Sequence, residues 1–99
     1  MPRHPRFSSH DPLLDARPAA TLDLHGHTRD SARAAVERFI KTPGRSGRVV
    51  HVITGRGKGS AGAPVLKTLV RGLLKSALAP YVREWALDDG DGGYRILIR

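Results

Sequence analysis

The sequence predicts an α/β fold: a two-layer sandwich in which two helices cover one face of a four-stranded mixed sheet. Apolar residues alternate in three short segments, form a β-branched run in a fourth, and recur at helical spacing in two longer ones. These segments follow one another as strand, helix, strand, helix, strand, strand, the order βαβαββ. Because crossovers between parallel strands are right-handed, both helices should lie on one face of the sheet, with the last strand antiparallel.

The first strand and helix follow from residues 21–43. In TLDLH, residues 21–25, two leucines alternate with Asp23 and His25, so one side of the strand should face the core. Thr28 then offers an N-cap, and alanine, valine, phenylalanine and isoleucine recur at helical spacing. This helix should end by Pro43.

The second half of the chain repeats the pattern and closes with a hairpin. The β-branched run RVVHVIT, residues 48–54, is typical of a buried parallel strand. Pro64 suits a first helical turn, and the apolar face that follows continues to Pro80. Residues 81–87 and 94–99 alternate around the turn residues DDGDGG. The first two strands should therefore be parallel and end at the same edge of the sheet.

The N-terminal segment differs in composition from the rest of the chain. Residues 1–20 contain four of the seven prolines without apolar periodicity, which predicts a mobile arm before a single domain over residues 21–99. The 99 residues include no cysteine, no apolar stretch of membrane-spanning length and no secretory signal pattern. We expect a cytoplasmic monomer with no membrane partner.

Positive charge is concentrated in the middle of the chain. The formal net charge is +8, and the stretch from Arg29 to Lys75 holds eleven Lys or Arg and two acidic residues. Such a surface attracts polyanions through steering and counterion release, so we expect nucleic acid as the partner. Lys67, Arg71 and Lys75 are spaced four apart and form one cationic stripe on a helix. The alternative is a basic surface that only keeps the protein in solution.

The segment VITGRGKGSAGAP, residues 52–64, predicts a phosphate-binding loop. Glycines let backbone N–H groups approach an anion, and the helix that follows presents its positive end to the same point. The predicted phosphate-binding residues are Gly55, Arg56, Gly57, Lys58, Gly59 and Ser60, with Lys67 and Arg71 of the helix. The alternative is a flexible connector. The loop also fits G-x-G-x-x-G, but Glu84 falls inside a strand where a dinucleotide site needs an acid at a strand end, and the glycine spacing excludes a P-loop.

Asp23 and His25 form the second candidate motif. They lie two apart on a strand and so project to the same side, where a carboxylate can orient an imidazole for general acid–base chemistry. The structural alternative is an ordinary hydrogen bond at a strand end. His27 is a candidate accessory residue beyond Gly26. A metal site from Asp23, His25 and His27 is conceivable, but three ligands this close in sequence seldom surround one ion.

LDLHGHT, VVHVITGRGKGS, the VLKTLVRGLL helix and the closing VREWALDDGDGGYRILIR together resemble the Smr (small MutS-related) domain over residues 21–99. The resemblance implies a fold similar to the C-terminal domain of bacterial translation initiation factor three. It also implies an endonuclease or binding domain that acts on RNA, including messenger RNA on ribosomes, or on structured DNA.

The resemblance assigns Asp23 and His25 to the active site, and it places Gly55, Arg56 and Gly57 along the substrate groove. Cleavage of RNA would need no cofactor, whereas cleavage of DNA would call for a divalent cation such as Mg or Mn to activate water. Many standalone members carry a histidine where this chain has Gly59. The alternative function is therefore a DNA- or RNA-binding module without catalysis.

Overall fold

The computed structural model describes residues 12–55, 63–88, 90 and 92–99. These residues form two long α-helices, a 3₁₀ turn and four strands, with helices and strands in the predicted order, preceded by one short helix. The elements are α1 (Pro12–Asp15), β1 (Ala20–Asp23), α2 (Arg29–Ile40), β2 (Val49–Ile53), α3 (Ala63–Lys75), the 3₁₀ turn Ala79–Tyr81, β3 (Val82–Leu87) and β4 (Gly93–Ile98). The predicted segments agree with these bounds to within a few residues at each end.

The four strands form one mixed sheet in the order β1-β2-β4-β3. β1 and β2 are parallel, with Ala20 opposite Val50 and Asp23 opposite Ile53. β4 runs antiparallel to both of its neighbours, β2 and β3. The predicted mixed α/β sheet, its parallel first pair and its antiparallel last strand are all confirmed.

The hydrophobic core lies between the sheet and the two long helices, α2 and α3. Its buried residues are Leu24, Ala32, Val36, Ile40, Val50, Val52, Leu66, Val70, Leu73, Leu74, Leu78, Val82, Tyr94, Ile96 and Ile98. Tyr94 is fully buried, and its hydroxyl donates a hydrogen bond to the Lys67 carbonyl on α3 at 3.1 Å. That bond satisfies a buried polar group and joins the centre of the sheet to the helix above it.

The short helix α1 lies on the face of the sheet that α2 and α3 leave open. Leu13 is only 3% exposed. The guanidinium of Arg95, which projects from β4 on the side away from Tyr94, donates to the carbonyls of Leu13 and Ala16. The sequence places residues 12–20 in the mobile arm, whereas the structure packs them on the sheet, because Leu13 is buried there and Arg95 bonds the helix carbonyls. Residues 1–11, the rest of the predicted arm, lie outside the described residues. Over the part of the chain that is described, no helix has the length and apolar content to cross a membrane.

Candidate nucleic-acid site at the ends of the parallel strands

The tips of β1 and β2 lie side by side at one edge of the sheet. The Leu24 N–H donates to the Ile53 carbonyl at 2.8 Å, which continues the parallel pairing one residue past β1. His25 lies two residues past Asp23 and Gly55 two residues past Ile53, the last pair in the register, so both residues follow the same edge of the sheet. Leu24 is fully buried, whereas Asp23 and His25 are exposed. The His25 imidazole therefore lies outside the hydrophobic layer, beside the start of the glycine loop.

A tight turn carries the chain from β1 into α2 directly after His25. The His27 N–H donates to the Leu24 carbonyl at 2.9 Å, and Gly26 adopts a φ of +84°. A positive φ at the third residue of such a turn favours glycine, so Gly26 permits the chain to reverse there.

The Asp23 carboxylate holds the backbone of this turn. Its Oδ1 accepts a hydrogen bond from the His25 N–H at 2.9 Å. The sequence predicts that Asp23 orients the His25 imidazole, but the bond that the structure contains is to the main chain. A short acidic side chain bonding the backbone two residues on is a common turn device. Asp23 thus positions His25 through the backbone of the strand tip.

His27 belongs to the N-terminal cap of α2. The Ser31 N–H donates to the Thr28 hydroxyl at 3.1 Å and the Thr28 N–H donates to Ser31 Oγ at 3.0 Å, a reciprocal capping box. Nδ1 of His27 lies 3.0 Å from Ser31 Oγ. The positive end of the α2 dipole therefore adjoins His25, which favours negative charge at this edge. Among residues 12–55, 63–88, 90 and 92–99, no three His, Asp or Glu side chains come together in a metal-binding group.

Gly55 is anchored at the same edge by the β3–β4 connection. The Gly92 carbonyl accepts hydrogen bonds from the Thr54 N–H at 2.8 Å and from the Gly55 N–H at 3.0 Å. The Thr54 side chain is buried and its hydroxyl lies 3.3 Å from the same carbonyl. Gly55 has a φ of +101°, which few other residues tolerate. The remaining predicted loop residues, Arg56, Gly57, Lys58, Gly59 and Ser60, lie outside the described residues.

The predicted cationic stripe lies on α3, the helix that follows the loop. Arg71 and Lys75 are exposed and Lys67 is half-buried. The groove between α2 and α3 is lined by a different set of α3 residues. This groove has a volume of about 580 Å³ and is bordered by Arg29, Arg33, Pro64, Val65, Thr68, Leu69, Gly72, Leu73 and Ser76. Neither His25 nor Gly55 borders it, so this cavity is separate from the strand tips.

The structure also contains a histidine–aspartate pair that the sequence does not single out. His51 Nε2 lies 2.8 Å from Asp88 Oδ2, and both side chains are more than four-fifths buried. The other carboxylate oxygen, Oδ1, accepts a hydrogen bond from the Gly92 N–H at 3.1 Å. Burial alone would raise the pKa of Asp88. The hydrogen bonds from His51 and from the Gly92 N–H, with the charge of His51, outweigh burial and lower the pKa below its usual value.

Comparison with known proteins gives one finding. The Smr domain family model matches residues 22–97, nearly the whole of the chain. The match includes Asp23, His25, Gly55, Lys67 and Arg71. No curated protein and no solved structure matches the chain significantly. The likeness to the initiation-factor domain and the catalytic roles of the site residues therefore stay predictions.

Proposed function

Since this chain belongs to the Smr domain family, we propose that it is a nucleic-acid endonuclease whose active site is the edge where β1 and β2 end. The Smr domain is a nuclease-associated family. Its link to nucleic acid agrees with the excess of basic residues between Arg29 and Lys75. We further propose that the protein acts as a cytoplasmic monomer and that RNA on ribosomes is among its substrates.

One observation carries the proposal: an exposed histidine and the first residue of a glycine loop follow the ends of two adjacent parallel strands. His25 lies two residues past β1 and Gly55 two residues past β2, and neither belongs to the hydrophobic core. Ligands commonly bind beyond the carboxyl ends of parallel strands. A phosphate held by the loop N–H groups and by the positive charges of Arg56 and Lys58 would then lie beside the imidazole of His25.

With RNA as the substrate, the chain needs only to hold the phosphate and move protons. Nε2 or Nδ1 of His25 accepts the proton of the ribose 2′-hydroxyl, and the 2′-oxygen forms a bond to phosphorus. The bond from phosphorus to the 5′-oxygen breaks, and that oxygen takes up a proton. The products are a 2′,3′-cyclic phosphate and a 5′-hydroxyl. DNA lacks the 2′-hydroxyl, so its cleavage would require an activated water, which a divalent cation commonly supplies.

A second candidate is a module that binds nucleic acid without cutting it. One observation favours it: Asp23 accepts a hydrogen bond from the His25 main chain, and among the described residues the His25 ring donates no hydrogen bond to Asp23. A ring without that partner has no carboxylate to fix its tautomer. The same basic residues would then contribute only to nucleic-acid binding, mainly through phosphate contacts.

A cleavage assay separates the two functions. Wild type, His25→Ala and His27→Ala are incubated with labelled structured RNA and branched DNA, with and without a chelator. We expect wild type and His27→Ala to cut, and His25→Ala to lose about 10²- to 10⁴-fold in rate while it still binds, because general acid–base catalysis supplies a factor of that size. His27→Ala tests the candidate accessory residue: its ring lies against Ser31 in the helix cap, and a loss of cutting in this variant would give His27 a role in catalysis. Binding without products in every condition would support the module.

A further inference from the structure

We propose that His51 and Asp88 are positioning residues for the glycine loop. Their hydrogen bond fixes the β3–β4 connection, and that connection holds the loop at its first residue, Gly55. This inference rests on the proposed function for the role of the loop in binding phosphate. It adds two residues that lie outside both sequence motifs.

Three hydrogen bonds link His51 to Gly55 without a break, and a fourth adds Thr54. His51 Nε2 lies 2.8 Å from Asp88 Oδ2, and Asp88 Oδ1 accepts from the Gly92 N–H at 3.1 Å. The Gly92 carbonyl then accepts from the N–H groups of Thr54 and Gly55 at 2.8 and 3.0 Å. Each group in this series of hydrogen bonds is therefore oriented by the one before it.

The pair spans three strands of the sheet. His51 is on β2, Asp88 follows β3, and β4 runs between them. The Asp88 N–H donates to the Gly93 carbonyl at 3.1 Å, so Asp88 stands beside a residue that has no side chain. The hydrogen bond between His51 and Asp88 therefore crosses β4 near Gly93. The hydrogen bond thus connects β2, which leads into the glycine loop, to the residue that follows β3, on the other side of β4.

His51 acts at a distance from the bound phosphate. It lies four residues before Gly55, which is about 13 Å along a strand at about 3.3 Å per residue. A ring there is too far from Gly55 to contact a phosphate bound at that residue. Its effect on binding must therefore pass through Asp88 and Gly92, and it is a positioning residue.

The backbone conformation at Gly55 explains why its link to His51 and Asp88 would affect binding. Gly55 has a positive φ of +101° and is the last described residue before the loop. The two N–H groups at this point share one acceptor, the Gly92 carbonyl. If Gly92 moves, the N–H groups of Thr54 and Gly55 lose their common acceptor, and both N–H groups change direction. Misplacement of about 1 Å in such a site is costly for binding and catalysis.

The test measures amide hydrogen exchange at Gly55 and Gly92 by NMR in the full chain. In His51→Ala we expect both amides to exchange about tenfold faster, the size of effect that loss of one buried hydrogen bond produces. Neither amide touches His51, so a faster rate reports coupling. His51→Gln and Asp88→Asn retain groups that can donate or accept at the same places, and they should restore exchange to within about twofold. Asp15→Ala removes an exposed carboxylate and is the control.

The same variants, together with Asp88→Ala, are then titrated with a fluorescein-labelled structured RNA. We expect the Kd to rise about tenfold in His51→Ala and in Asp88→Ala, and to stay unchanged in Asp15→Ala. Unchanged exchange at Gly55 in folded His51→Ala would overturn the inference, as would faster exchange with an unchanged Kd. If wild type binds no RNA, the proposed function fails, and the exchange rates still decide whether His51 and Asp88 position Gly55.

Discussion

Asp23 illustrates what single residues contribute at this site. The spacing of Asp23 and His25 predicts two polar residues outside the core, and both are exposed, although β1 ends at Asp23. It does not predict which atom of His25 the carboxylate binds, since the chain turns at Gly26 and the strand pattern ends there. The carboxylate holds the main chain of the strand tip, and the histidine ring is left free to approach a substrate.

The role of Asp23 can be tested with two substitutions. In Asp23→Asn the side-chain oxygen can still accept from the His25 N–H, so we expect single-turnover cleavage within about threefold of wild type. Asp23→Ala removes the acceptor and should lower the rate about tenfold, the effect of losing one hydrogen bond. If Asp23→Asn were as inactive as His25→Ala, the negative charge of Asp23 would be acting on the ring.

Asp88 makes the stability of the protein depend on pH. Its folded-state pKa is lowered, so its carboxylate stabilises the fold above the unfolded pKa of about 3.9. That contribution is lost as the pH falls through the lowered folded value. We therefore expect the free energy of unfolding of wild type to fall more between pH 7 and pH 3 than that of Asp88→Asn, measured by urea denaturation. An equal fall in the two proteins would contradict the bond from His51 to Asp88.

Among the elements, the position of β4 in the sheet is the main feature that the sequence does not predict. Alternation and turn residues predict each strand and the closing hairpin, but they do not say that β4 enters the sheet between β2 and β3. The pairing of His51 with Asp88, 37 residues apart, depends on that insertion. Helix α1 was also not predicted, because four residues are too few to show a helical period. Local pattern therefore predicts the elements, and the contacts across β4 come from tertiary structure.

Gly93 is the position where the insertion of β4 is tightest. A Cβ at Gly93 would lie 2.2 Å from the Val52 carbonyl oxygen, which belongs to the backbone of β2 and cannot move independently. We expect Gly93→Ala to lower the free energy of unfolding by about 1–3 kcal/mol.

Gly72 supplies the matched control for this substitution. It lies in α3, and an added Cβ meets nothing within 4 Å. Gly72→Ala should raise the free energy of unfolding by about 0.5–1 kcal/mol, because alanine favours helix over glycine. Both values come from urea denaturation. A Gly93→Ala protein as stable as wild type would show that β2 and β4 are not this close.

At the scale of the whole molecule, the fold separates two pairs of basic residues along the chain. The sequence contains an excess of basic residues between Arg29 and Lys75. The loop that contains Arg56 and Lys58 starts where β1 and β2 end, whereas Arg48 directly precedes β2 and Arg83 is the second residue of β3, at the opposite edge. Arg48 and Arg83 thus carry the same charge as Arg56 and Lys58 but lie at the edge away from the start of the loop.

This arrangement predicts a difference in the salt dependence of binding. Arg56→Ala with Lys58→Ala should lower the slope of log K against log salt on single-stranded RNA by about 1.4, the value for two phosphate contacts. Arg48→Ala with Arg83→Ala removes the same charge from the other edge and should leave the slope near that of wild type. Equal slopes for the two double variants would mean that the overall charge, and not the loop, governs binding.

The central claim is that a single sugar–phosphate linkage contacts both strand tips. An NMR titration with an oligoribonucleotide that carries a 2′-O-methyl group at every linkage, and so cannot be cut, tests it most directly. We predict that the His25 imidazole signals and the Gly55 amide signal shift together and saturate at the same RNA concentration. The account is contradicted if RNA shifts the signals of Lys67 and Arg71 on α3 while those of His25 and Gly55 stay in place.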